Sequence, residues 1–135
     1  ERLETLSVPV LGYGTDVFPS FWLTASGHDL DWRVDSPAEV AAVMRSRDSL
    51  GQRSGIVVAN PLPADQQLDS AVHDEALTRA LAMADERGLS GKEVTPFLLL
   101  TIVELTGGES LRVNLDIARN NIRVAAGIAT AWASQ

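Results

Sequence analysis

Pro96 to Leu105 reads Pro-Phe-Leu-Leu-Leu-Thr-Ile-Val-Glu-Leu, a helical stretch with almost no polar face. Thr95 stands where an N-cap belongs, and Gly107-Gly108 marks the end. A helix apolar nearly all round must be buried on several sides. This demand constrains the fold more than any other feature, because the rest of the chain has to supply the neighbours.

The strands are few and short. Val8 to Gly14 reads as a buried strand closing into a glycine turn, and Leu30 to Val34 as a brief second one. Gly55 to Asn60 is the strongest strand: β-branched, apolar throughout and stopped by Pro61. Such a run suits a central strand covered on both faces. Between the first two lies an aromatic-rich loop with Phe18, Phe21 and Trp22. Two or three strands cannot bury the 97–105 helix, so a partner segment or an oligomer is required.

The helices announce themselves by their caps. Ser36-Pro37-Ala38-Glu39 is a capping box with proline at the first helical position, predicting a helix to about Arg47. Asp69 or Ser70 opens the next, with Val72, Ala76, Ala80 and Ala84 as its buried stripe and Gly88 as its stop. Ser110 is placed as the cap of a last helix running to about Trp132. The element order implies an α/β protein with helices packed on a small sheet.

Composition narrows the chemistry. Eleven Lys+Arg against eighteen Asp+Glu give a net charge of −7 over 135 residues, which disfavours nucleic acid and anionic membranes as partners. No uninterrupted apolar run approaches the ~20 residues of a membrane span. There is no cysteine, so disulfides, thiolate metal sites and a cysteine nucleophile are excluded. His28 and His73 have no partner at ligand spacing, and His73, beside Asp74 and Glu75, is placed on a wet helix face. With no basic-then-apolar leader, the expected location is cytoplasmic.

The candidate site residues are few. Gly12-Tyr13-Gly14-Thr15-Asp16 lacks the third glycine and the following helix of a dinucleotide loop, and reads as an ordinary turn. Asn60 ends the strongest strand at a carboxyl edge, where α/β sheets hold ligands; its ordinary reading is an Asx-type turn fixing the Pro61 corner. Thr95 is foremost a cap, at a helix N-terminus able to face an anion. Lys92, the chain's single lysine, reads as a solvated loop residue. Glu104 is placed in a helix-terminal salt bridge. On the last helix, Asn114, Ile117, Ala118, Asn121, Ala125, Ile128 and Trp132 share one face at 100° per residue. Asn114 and Asn121 thus set two amides in an apolar surface, two turns or ~10 Å apart. Each either ties down nearby backbone or meets a ligand.

Several blocks together resemble the carboxyl-terminal portion of the pseudouridine-5′-phosphate glycosidases, a family that includes the indigoidine-cluster A proteins. They are Val8-Pro9-Val10-Leu11-Gly12-Tyr13-Gly14-Thr15 with Phe18-Pro19; Arg33-Val34-Asp35-Ser36; Val57-Val58-Ala59-Asn60-Pro61-Leu62-Pro63; Gly91-Lys92-Glu93-Val94-Thr95-Pro96-Phe97-Leu98-Leu99; and Leu105-Thr106-Gly107-Gly108-Glu109-Ser110-Leu111, leading to Asn114 and Asn120-Asn121. The resemblance spans essentially the whole chain.

It implies an α/β/α layered fold of which residues 1–135 are the carboxyl-terminal part, with a small, incomplete sheet. It implies reversible cleavage of the C–C glycosidic bond of pseudouridine 5′-phosphate to uracil and ribose 5-phosphate. In such enzymes a lysine attacks C1′ to form an imine, a glutamate moves protons and an aspartate helps hold Mn2+. The iminium is the electron sink that a carbon leaving group needs. All three residues lie upstream in the family's pattern, so no catalytic residue and no metal ligand is expected on this chain. Lys92 matches a different block. Of the active-site residues only Asn114 has a counterpart, as a substrate contact near the ribose phosphate; Asn60 and Thr95 are weaker candidates. The start at Glu1 without methionine and the lone lysine fit the expectation that the amino-terminal catalytic portion is absent and that this chain alone is inactive. A homotrimer is implied. The alternatives are C-ribosylation of an aromatic natural product on the same scaffold, or a non-catalytic fragment that binds a sugar phosphate or a partner.

Overall fold

The computed structural model describes residues 2–134. A short helix α1 (Arg2–Thr5) leads into strand β1 (Val10–Tyr13). There follow β2 (Trp32–Val34), α2 (Pro37–Ser49), β3 (Val57–Ala59), α3 (Ser70–Glu86), a 3-10 turn (Gly91–Glu93), α4 (Val94–Leu105) and α5 (Glu109–Ala133). The strands form one parallel sheet in the order β2-β1-β3, with Leu11 opposite Trp32 on one side and Val58 on the other. Thus β1 is central, and β3, the strand expected there, lies at one margin and spans three residues of the predicted six. Because all three strands are parallel, their carboxyl ends share one edge, followed by Gly14, Asp35 and Asn60.

Two apolar clusters hold the chain together. In the first, Leu11 and Val34 of the sheet pack on Val40 of α2, flanked by Met44, Val58 and Ile128. In the second, Trp22 from the aromatic loop sits with Leu62, Leu68, Ala76, Ala80, Ile102 and Val113. Each large side chain buried here contributes ~1.5–3 kcal/mol. The Trp22 indole nitrogen donates to the Ser110 carbonyl at 3.1 Å, so the loop is tied directly to α5. The alanines of α3 let α4 approach closely.

Local signals explain most boundaries. Ser36 caps α2 by accepting from the Glu39 amide at 3.3 Å, and the Glu39 carboxylate returns to the amide of Asp35 at 2.6 Å. The reciprocal box is therefore offset by one residue, and α2 runs two residues past Arg47. Asp69 caps α3, accepting from the Val72 amide. Gly88, at φ +63°, ends α3 in the left-handed region. Gly12 must be glycine, since a Cβ there would overlap the Thr15 carbonyl.

Several expectations need correction. Val72 is 42% exposed, and His73 is buried at 8% instead. Rows four residues apart drift by 40° per step, so the Ala76-Ala80-Ala84 row has left the core by Val72, and His73 takes its place. The His73 ring lies 6.0 Å from that of Trp22, and its Nδ1 is 2.9 Å from Asp74 Oδ1. Thr95 is not a cap: the 3-10 turn runs straight into α4, which places Thr95 inside the first turn and exposed. Ser110 is not a cap either. It lies buried inside α5, and Thr106 Oγ1 accepts from its amide at 3.2 Å. Glu104 is exposed and forms no ion pair among the described residues.

The 97–105 stretch finds neighbours on only part of its circumference. Thr101 and Ile102 are buried against α3 and α5, whereas Leu100 is 69% exposed and Leu99 is exposed too. Helix α5 also sits differently from the expected face. Its covered side is centred on Ser110, Val113, Ile117, Asn120, Val124, Gly127, Ile128 and Ala131, with Asn114 and Asp116 half-buried at its two margins, roughly a quarter turn round from the face centred on Asn114.

Candidate functional site: an asparagine ridge at the carboxyl edge of the sheet

The chain leaves β3 at Asn60-Pro61, and both residues are bound to α5. The Asn60 side-chain amide donates to Asn121 Oδ1 at 2.9 Å, and the Asn120 amide donates to the Pro61 carbonyl at 3.1 Å. The Asn60 side chain therefore closes onto α5 rather than onto its own turn. Adjacent asparagines on a helix point ~100° apart, so Asn120 and Asn121 grip two successive residues of one corner. The role of Asn120 was missed in the sequence; its signal is its place on the Val113-Ile117-Val124 side of α5.

Asn114 lies two turns before Asn121 on the same ridge, half-buried. Its side chain makes no hydrogen bond to the protein among the described residues. Asn60, Asn120 and Asn121 have their partners, so Asn114 is the one amide of the four left to face something else. Thr95 shares no hydrogen bond with any of them.

The neighbouring turn is closed by charge. Arg33 donates to Asp35 at 2.8 Å and to Asp16 at 2.8 Å, and these two carboxylates hold its guanidinium above its ordinary pKa. Asp16 is thereby engaged within the Gly12–Asp16 turn. Lys92 is exposed on the 3-10 turn. Among the described residues no three His, Asp or Glu side chains converge as a ligand set. The described residues by themselves do not fit a manganese centre. No single described helix is long and apolar enough to cross a membrane.

A three-stranded parallel sheet, helices packed on it and a helix tied to its carboxyl edge through asparagines define an α/β protein of the layered type. The chain belongs to the indigoidine synthase A like family, whose profile matches residues 1–131. It is 57% identical to a pseudouridine-5′-phosphate glycosidase of Frankia alni, covering all of this chain and 37% of that protein. A solved indigoidine synthase A-like protein of Thermotoga maritima superposes with a TM-score of 0.80 at 36% identity, over 94% of this chain and 41% of that one. The prealnumycin C-glycosynthase AlnA, solved in complex with ribulose 5-phosphate, gives a TM-score of 0.80 at 25% identity, over 98% and 45%. The chain spans 37–44% of the length of the curated relatives it matches.

Proposed function

We propose that this chain supplies the asparagine-bearing helix of a pseudouridine-5′-phosphate glycosidase, with Asn114 contacting the ribose-phosphate end of the substrate. The observation that carries this reading is the half-buried Asn114 amide without a protein partner, on a helix whose other asparagines are all engaged. An amide offers both donors and an acceptor, which suits sugar hydroxyls and phosphate oxygens. The name of the Frankia alni relative and the sugar phosphate in the C-glycosynthase complex support the substrate class.

In this reading the lysine that forms the imine, the glutamate that moves protons and the aspartate of the manganese site belong to the part of the enzyme this chain does not span. The contribution of the chain's own residues is positional. Asn60, Asn120 and Asn121 fix α5 against the end of β3, and α5 in turn fixes Asn114. The assembled enzyme is read as a cytoplasmic homotrimer, and this chain alone as inactive.

The test is to join the chain to the remaining portion of the Frankia alni relative and follow loss of pseudouridine 5′-phosphate. Turnover by the joined protein and none by the 135-residue chain is the expected result. Turnover by the chain alone, or none by a folded joined protein in either direction, would overturn it. The C-glycosynthase neighbour favours a second reading, transfer of the ribose phosphate to an aromatic carbon. Product formation from ribose 5-phosphate with an aromatic acceptor but not with uracil would select it.

A further inference from the structure

Helix α5 carries a second apolar seam that the described structure leaves largely bare, with only Arg45 set over the Trp132 ring, 5.8 Å from its centre, at the far end. Leu111, Leu115, Ala118, Ile122, Ala125, Ala129 and Trp132 recur at alternating steps of four and three, and all seven are exposed. Ile122 is 69% exposed and Leu115 50%. Steps of four and three over three heptads are the a/d pattern of a helix that packs lengthwise against another helix. The seam is ~32 Å long at 1.5 Å per residue. Alanines at three of its seven positions permit close backbone approach. At ~100° per residue it lies roughly 130° from the covered side of α5, and the ridge between the two carries Asn114 and Asn121. The opposite flank carries Arg112, Asp116, Arg119 and Arg123, whose charges are spent on pairs within α5 or turned to solvent.

We infer that this seam is the docking track for an apolar helix from the polypeptide that the family members carry beyond this chain, and that its docking closes the wall over Asn114. Three observations select that occupant. The matched relatives carry more than half their length outside the aligned region, which is ample chain to supply such a helix. The heptad period specifies a helix rather than a strand or a loop. The seam borders the one asparagine left unpaired, so an element seated there is adjacent to the proposed substrate contact. This rests on the proposed function only for the identity of what Asn114 meets; the docking stands on the seam alone.

The absence of cysteine makes the test direct. A single thiol is introduced by Ala118→Cys in the seam, and separately by Ala82→Cys on the exposed side of α3 as a control. Thiol-labelling rates are measured for the 135-residue chain alone and for the chain co-purified with the remaining portion of the Frankia alni relative. The expected result is stable co-purification, with labelling of Ala118→Cys slowed by about tenfold or more in the complex and Ala82→Cys unchanged. Ile122→Glu, an exposed change, is expected to abolish co-purification while the far-ultraviolet circular dichroism of the isolated chain stays the same. Labelling of Ala118→Cys that is equally fast in an assembled complex overturns the inference even when that complex cleaves pseudouridine 5′-phosphate. Protection without turnover leaves the docking standing and removes the functional reading. Concentration-dependent protection in the isolated chain, with a dimeric mass, assigns the seam to a second copy and overturns the inference, as does a folded chain that never co-purifies.

Discussion

Asn60 and Asn121, sixty-one residues apart in sequence, meet amide to amide at 2.9 Å where strand β3 gives way to Pro61. The bond joins the edge of the sheet to the middle of the longest helix. Asn120 adds a second tie to the next residue of the same corner.

Removing either amide of the pair should therefore loosen the corner as much as removing both. Asn60→Ala and Asn121→Ala are each expected to cost about 0.5–1.5 kcal/mol, and the double variant little more than either. Urea denaturation of the four proteins measures the coupling. Fully additive losses would show that the two amides act separately.

Trp22→Phe keeps most of the ring's burial and removes its one donor. The Ser110 carbonyl, inside a buried region, then loses its indole partner, at an expected cost of about 1–3 kcal/mol. Thermal melting checks this. A change no greater than that of an exposed control such as Trp32→Phe would refute the tie between loop and helix.

The first turn of α5 is expected to gain stability as Glu109 ionises. The Arg112 guanidinium hydrogen-bonds Glu109 and holds its carboxyl below the ordinary carboxylate range. A carboxyl whose folded pKa is depressed stabilises the fold above its unfolded pKa, and that contribution is lost as pH falls through the folded value. The melting temperature of Glu109→Gln should thus converge on that of the parent chain in acid and fall below it at neutral pH. Since the pair is exposed, added salt should narrow the neutral-pH gap.

Asn114→Ala separates binding from folding. With no protein hydrogen bond to lose, its melting temperature should match the parent's. In the joined, active enzyme kcat/KM for pseudouridine 5′-phosphate should fall about tenfold or more, a loss of ~1.4 kcal/mol of substrate interaction. Asn114→Asp should be worse still, because its charge opposes the phosphate. Unchanged kinetics in both variants would remove Asn114 from the site.

How far these features were legible from sequence differs by residue. Ser36-Pro37, Asp69 and Gly88 carry their information locally, in the hydrogen bonds and backbone angles they favour, and the structure places them as read. The α/β class and the Val57–Ala59 strand were equally legible. Thr95 misled because Gly91 allows a 3-10 turn to precede α4, and a helix entered through such a turn has no need of a side-chain cap. The Asn60–Asn121 contact depends on tertiary docking that no local pattern encodes. On α5 the difficulty was of another kind. Two apolar seams lie on one helix, and a face centred on Asn114 straddles both. Sequence periodicity shows that both are apolar; only the packing of α2 shows which one the chain itself covers.

Gly107 and Gly108, both left-handed, turn the chain through 116° between α4 and α5. A helix leaving a rigid corner inherits its rotational phase from the number of residues in that corner. One residue more or fewer would spin α5 by ~100° relative to α4, which approaches the separation of its two seams. In one sense such a length change would turn the bare track toward the sheet, and in either sense it would carry Asn114 away from its wall, with every side chain of α5 unaltered. The corner thus works as an indexing device, and its length is as strict a requirement as the identity of any residue it orients.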